Sequence, residues 1–258
     1  MELLSYGMAR IADFGIIRLS TVPVHDYLAA LNVCLGQLKI SHLVAVILSF
    51  VVSWWCYVPI HELFHAFGCI IGGGQVSRLE IARIYGADFL KGFFPFVQSG
   101  SAYAGRLSGF DTHGSDLIYL LTDFFPYTLT ILIGIPLLKS VSSRNTSPLI
   151  NNIIFGISMP LAYAPFISVT GDYYEMGSIL VSRLVALLVP SVDPERWRSD
   201  DLFKLIERLF LSSGAWVLDI TVVIASFLLG VILIFATYWA GTVWVGFIVS
   251  MKKGIRGY

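Results

Sequence analysis

From residue 42 to 72 the chain reads HLVAVILSFVVSWWCYVPIHELFHAFGCIIG, and this run constrains the fold more than any other feature. A helix needs about 20 mainly apolar residues to cross a hydrocarbon core. Backbone inside that core must also satisfy its own polar groups, which leaves helix as the conformation for such a run. Comparable runs recur at 117–138, 149–190 and 216–251. The whole chain of 258 residues is 56% hydrophobic and 13% charged, roughly half the charged share of soluble domains. The expected fold is mainly α, a polytopic transmembrane helix bundle of about four to five spans. The count depends on whether the 149–190 region, broken by Pro160, Pro165 and Gly171, crosses once or twice.

The connections divide the chain further. Gly72, Gly73 and Gly74 end the first run, as glycines commonly end helices. After them "QVSRLEIARIYG" partly alternates polar and apolar residues, and "GFFPFVQSGSAYAGRLSG" mixes aromatics with Gly and Ser. That pattern predicts a small membrane-associated β-like segment. Residues 1–41 carry Arg10, Asp13, Arg18, His25 and Asp26 at short intervals, which leaves no room for the apolar core of a signal peptide. An N-terminal amphipathic, interfacial segment is expected there. A membrane core over 42–190 and a C-terminal part over 191–258 complete the division, the latter a polar loop with a surface helix and a last span. Net charge is zero, so nothing favours nucleic acid. Cys34, Cys56 and Cys69 form neither a CxxC pair nor a disulfide framework. Lys252, Lys253 and Arg256 directly follow the last span, which places the C-terminus in the cytoplasm by the positive-inside rule. Four crossings put the N-terminus there too, with the cell (inner) membrane as the expected location.

Inside the first apolar run stands His61-Glu62-Leu63-Phe64-His65, an HExxH pattern. Residues four apart share a helix face, so two imidazoles can meet one metal ion, as in zinc hydrolases. Glu62, one position on, can take a proton from metal-bound water and pass it to a leaving amine. Imidazole ligands and redox-free hydrolysis suit Zn2+. Ordinary surface helices also carry HExxH, but ionisable groups inside a span are costly and are usually kept for function. Cys69, one further turn on, lies too far along the helix to join both histidines on one ion. It and Cys56 read as small packing residues.

A catalytic zinc takes three protein ligands and keeps a fourth position open. The candidates for the third are Asp111, His113, Asp116, Asp123, Asp172, Glu175 and Asp219. Asp172 and Glu175 follow Gly171 at the broken region, where irregular backbone at membrane depth must line a cavity or be buried in protein. Asp172 is the first choice and Glu175 the alternative, three residues away on the same face. "GFDTHGSD" reads as a turn followed by a helix cap at Ser115 or Asp116. Asp123, inside the second span, is expected either to bond a metal-bound histidine or to serve structure through water. His25 and His42 are expected at the interface.

These residues resemble the site-2 protease family of intramembrane zinc metalloproteases: HExxH in a transmembrane helix, a glycine turn ("HAFGCIIGGG"), a β-like segment ("QVSRLEI") and a late aspartate at a broken helix. The family's second motif, NxxPxxxxDG, is divergent here. In "APFISVTGDYYE" the glycine precedes Asp172, and Pro165 stands seven residues before it. The resemblance implies His61, His65 and Asp172 as zinc ligands and Glu62 as base. It also implies an extended substrate bound by part of 76–109, where strand addition supplies main-chain hydrogen bonds. The implied function is zinc-dependent endopeptidase cleavage of a transmembrane or membrane-associated protein. Alternatives are a membrane zinc protease for peripheral or lipidated peptides, with Glu175 as third ligand, and a non-proteolytic metal-binding membrane protein or transporter. Nothing in the sequence indicates an oligomeric state.

Overall fold

The run that carries the histidines forms one uninterrupted helix, α2 (Ile40–Ile71), in a computed structural model that describes residues 20–36, 39–143, 147–211 and 216–256. A preceding helix, α1, covers 20–35. After α2 come strand β1 (Gln75–Ile81), a short helix α3 (Ala87–Leu90), and strands β2 (Val97–Ser99) and β3 (Gly105–Asp111). The second span joins α4 (Asp116–Phe124) to α5 (Ile135–Ser143) through a 3-10 turn and a π turn. The third is α6 (Pro148–Ile167) and α7 (Asp172–Leu188). A surface helix, α8 (Leu202–Leu211), precedes the last span, α9 (Trp216–Arg256). The protein is thus mainly α, with four helical segments long and apolar enough to cross a membrane and one small sheet.

Contacts between spans fix their directions. Ser53 donates to the Ile157 carbonyl (2.9 Å), Tyr57 packs with Ala164, and His61 meets Asp172, so α2 runs parallel to α6 and α7. The second span runs against them: Thr130 donates to the Leu161 carbonyl at 2.6 Å, and Tyr119 to Glu175 at 2.7 Å. Tyr173 reaches Thr237 while Gly177 abuts Ser226, so α9 is antiparallel to α7. Hence α6 and α7 are one crossing interrupted at 168–171, not two, and the spans number four. The sheet and residues 189–211 gather at one end of the bundle; α1 and the end of α9 gather at the other. Residues 1–19, including Arg10, Asp13 and Arg18, lie outside the described residues. Within α1, Ala30 and Cys34 are buried against α5, α6 and α9 while Val24 and Leu28 stay exposed. Asp26 is tied to Lys139 at 2.7 Å and Tyr238 at 3.0 Å.

The glycine cluster ends α2 as expected. Gly73 takes a positive φ of 95°, and a Cβ on Gly74 would lie 2.8 Å from the Asp111 carbonyl oxygen. The turn therefore brings β1 directly under the helix. The sheet order is β2-β1-β3, with β1 parallel to β2 and antiparallel to β3, so β3 is an edge strand. Leu79, Ile81 and Val97 are fully buried against Leu63 and Ala66 of α2, which seats the sheet on the helix turns that carry HExxH.

Candidate metal centre

Helix spacing puts His61 and His65 one turn apart, with Nε2 atoms 3.1 Å from each other. The third element is the break in the α6–α7 crossing. Asp172 is the first residue of α7, its N–H bonded to the Ser168 hydroxyl at 3.3 Å. Its Oδ2 lies 3.5 Å from His61 Nε2 and 3.6 Å from His65 Nε2. One donor atom from each of the three residues falls within 4.8 Å of the others, and this is the one such group among the described residues. A tetrahedral ion with bonds of about 2.0–2.1 Å keeps its ligand atoms about 3.3 Å apart. The three separations match that spacing, so the residues fit a zinc-sized ion. All three side chains are mostly buried, 14%, 10% and 20% exposed.

Neighbouring groups orient the ligands. His65 Nδ1 lies 2.8 Å from the Thr122 carbonyl oxygen. A carbonyl only accepts, so the proton sits on Nδ1 and the Nε2 lone pair faces the other two donors. His61 Nδ1 lies 2.8 Å from the Tyr57 hydroxyl, which can accept in the same way. The Tyr127 hydroxyl donates to Asp172 Oδ2, and its ring packs edge-on to His61 at 5.5 Å. Glu62, partly exposed, points to the sheet. A Cβ on Gly105, the first residue of β3, would lie 2.9 Å from Glu62 Oε2 and run into its side chain. A glycine at that position is what lets the carboxylate occupy the space beside β3.

A cavity of about 960 Å³ runs from the histidines to the sheet end of the bundle, lined by Glu62, Asp172, Asp123, Arg106, Arg198 and Lys204 among others. At roughly 1.5 Å per residue, His61 lies about 15 Å from the end of α2 on the sheet side. The cavity is thus a polar passage from that end of the bundle to the three residues, between helices whose outer faces are apolar.

The remaining candidates go elsewhere. Glu175, one turn beyond Asp172, is turned to Tyr119 and lies outside the three-residue group. Of the two roles expected for Asp123, the bond to a histidine is not made: the Nδ1 atoms are taken by Thr122 and Tyr57. Asp116 pairs with Arg183 at 2.6 Å and with Arg198 at 2.9 Å, the latter close but not aligned as a hydrogen bond. Asp219 holds Arg196 through both oxygens and also accepts from Trp197. Asp111 and His113 form the expected turn, and Ser115 caps α4 through the Ile118 N–H. Cys69 is buried as a packing residue, whereas Cys56 is exposed rather than packed in the core. His25 is exposed; His42 is buried at the start of α2 rather than projecting from it.

Four supporting residues are not evident from the sequence motifs. Tyr57, one turn before His61, follows from helix spacing; Thr122, Tyr127 and Gly105 depend on tertiary contacts. Comparisons with protein-family models, with curated proteins and with solved structures find no match. The chain therefore stands as a membrane-type helical bundle whose His61, His65 and Asp172 can hold a metal.

Proposed function

We propose that this chain is a zinc metalloprotease of the site-2-protease type, an endopeptidase acting on transmembrane or membrane-associated protein segments. The observation that carries the reading is the convergence of His61, His65 and Asp172 beside Glu62, at the inner end of a polar cavity between apolar spans. His61, His65 and Asp172 would hold Zn2+. The ion, when bound, supplies a Lewis acid that polarises the scissile carbonyl and acidifies water.

The chain's own groups do the rest. Glu62 accepts a proton from the attacking water and delivers it to the leaving amine nitrogen. Thr122 and Tyr57 hold the two imidazoles in the metal-binding tautomer, and Tyr127 fixes the Asp172 carboxylate. The outer edge of β3, whose residues 105–108 line the cavity, is where an unwound substrate segment can add as a strand. The lipid bilayer supplies substrate laterally, while water reaches the site through the polar cavity. Of the alternatives, the use of Glu175 as third ligand is disfavoured by its bond to Tyr119.

The test is a Glu62→Gln variant of the pure protein. It is expected to keep zinc at wild-type stoichiometry while cleavage of a transmembrane peptide falls at least about a hundredfold. Undiminished cleavage, or zinc binding by a wild-type protein that cleaves nothing, contradicts the reading.

A further inference from the structure

The cavity holds two carboxylates that the proposed chemistry does not use. Asp123 of α4 is 5% exposed, and its Oδ2 has no hydrogen-bond partner. Glu175 of α7, 6% exposed, receives only the neutral hydroxyl of Tyr119 among the described side-chain donors. Both line the same cavity as the metal ligands. A buried carboxylate without a cation or a set of donors is costly, since removal from water is not repaid.

The cavity's own cations sit at ion-pair or hydrogen-bond distance from other groups, although Arg198, whose Nη2 makes no hydrogen bond, also attracts Glu175 from beyond ion-pair distance. Arg183 and Arg198 pair with Asp116, Lys204 with Asp201, and Arg106 with Asp200, while Arg208 donates to the Arg196 carbonyl. Neither Asp123 nor Glu175 has a basic side chain at ion-pair distance among the described residues. A second metal ion is not favoured, because these two residues join no third ligand in a compact group.

We propose that Asp123 and Glu175 form a carboxyl subsite that takes the cationic side chain of a lysine or arginine in the bound substrate, close to the scissile bond. This rests on the peptidase reading. Position supports it: Asp123 follows Thr122, whose carbonyl holds His65, and Glu175 lies one helical turn beyond Asp172. A residue held there sits beside the metal ligands, not at the cavity mouth. The partner chemistry follows from the charge: two buried carboxylates with no basic side chain at ion-pair distance among the described residues are matched by a cation. A cationic side chain of the substrate entering from the sheet end would meet them while the adjoining segment lies along β3.

The experiment uses the full-length zinc-loaded protein in lipid vesicles and transmembrane peptides in which one Lys, or Gln as its uncharged match, is walked through the positions around the cleavage site. At one position the Lys peptide is expected to exceed its Gln match in kcat/KM by about tenfold or more. Asp123→Asn and, separately, Glu175→Gln are expected to collapse that ratio towards one. The same peptides are measured for binding to the Glu62→Gln protein, where Lys again should bind about tenfold tighter. Cleavage with no Lys preference at any position overturns the subsite, whatever the variants do. A preference that survives in both variants, each checked for folding by zinc content, also overturns it. Tighter Lys binding without cleavage by the wild type would sink the peptidase reading and leave the subsite standing.

Discussion

His65 has no choice of tautomer: a carbonyl oxygen 2.8 Å from Nδ1 forces the proton there and bares Nε2. Such outer contacts set metal affinity almost as strongly as the ligands themselves. Tyr127→Phe removes the hydroxyl that donates to Asp172. It is expected to weaken zinc binding by about 10- to 100-fold, measured by competition with a chromophoric chelator. Unchanged affinity would show that Asp172 needs no such support. Gly105→Ala acts on the base instead. The added Cβ enters the space of the Glu62 side chain, so peptide turnover should drop by about tenfold or more while zinc stoichiometry holds. If both fall together, Gly105 supports the fold rather than Glu62. HExxH was legible in the sequence because the i, i+4 rule is local. Asp172 was legible because irregular backbone at membrane depth is rare. Thr122 was not, since it contributes a backbone carbonyl that any residue could supply. Asp123 was placed correctly inside a span, but of its two expected roles the bond to a histidine is not made, because depth in a helix does not say which neighbour faces it.

The elements that assemble the site are held by close helix crossings. On α2, Gly68 meets α4 so closely that a Cβ there would lie 2.6 Å from the Leu121 carbonyl oxygen and from the Phe125 Cβ. Small residues let membrane helices approach in this way. Here the approach also delivers the neighbouring Thr122 carbonyl to His65. Gly68→Ala should therefore cost about 1–3 kcal/mol by overpacking, read from thermal unfolding in detergent, and lower zinc affinity as well. A stability loss with unaltered zinc affinity would separate the crossing from the metal centre. Apolar run length located the spans but left their number at four to five, while partial alternation and glycine punctuation pointed to the strands after α2. They did not predict the 3-10 and π turns of the second span around Pro126, where the chain bends to aim Tyr127 at Asp172. The 3-10 turn contains Pro126, which interrupts the helix, and packs on α2, whereas the π turn packs on α6 and α9.

Across the whole molecule, parallel α2 and α6–α7 place the sheet, α8 and the cavity mouth at one end of the bundle, with α1 and the end of α9 at the other. The basic C-terminal end, with Lys252, Lys253 and Arg256, argues for a cytoplasmic location of the second end. In inside-closed cells a Tyr103→Cys variant should then react with a membrane-impermeant maleimide while a Gly254→Cys variant reacts only after permeabilisation; the reverse pattern inverts the topology. Either orientation leaves the central claim unchanged, that one metal ion joins α2 to the broken third span. X-ray absorption at the zinc edge, on pure wild-type protein and on the Asp172→Ala and Glu175→Ala variants, tests it most directly. One zinc per chain is expected, bound by two imidazoles and a carboxylate, kept in Glu175→Ala and weakened or lost in Asp172→Ala. A wild-type protein that binds no zinc, or a zinc centre that survives loss of Asp172 intact but not loss of Glu175, would contradict it.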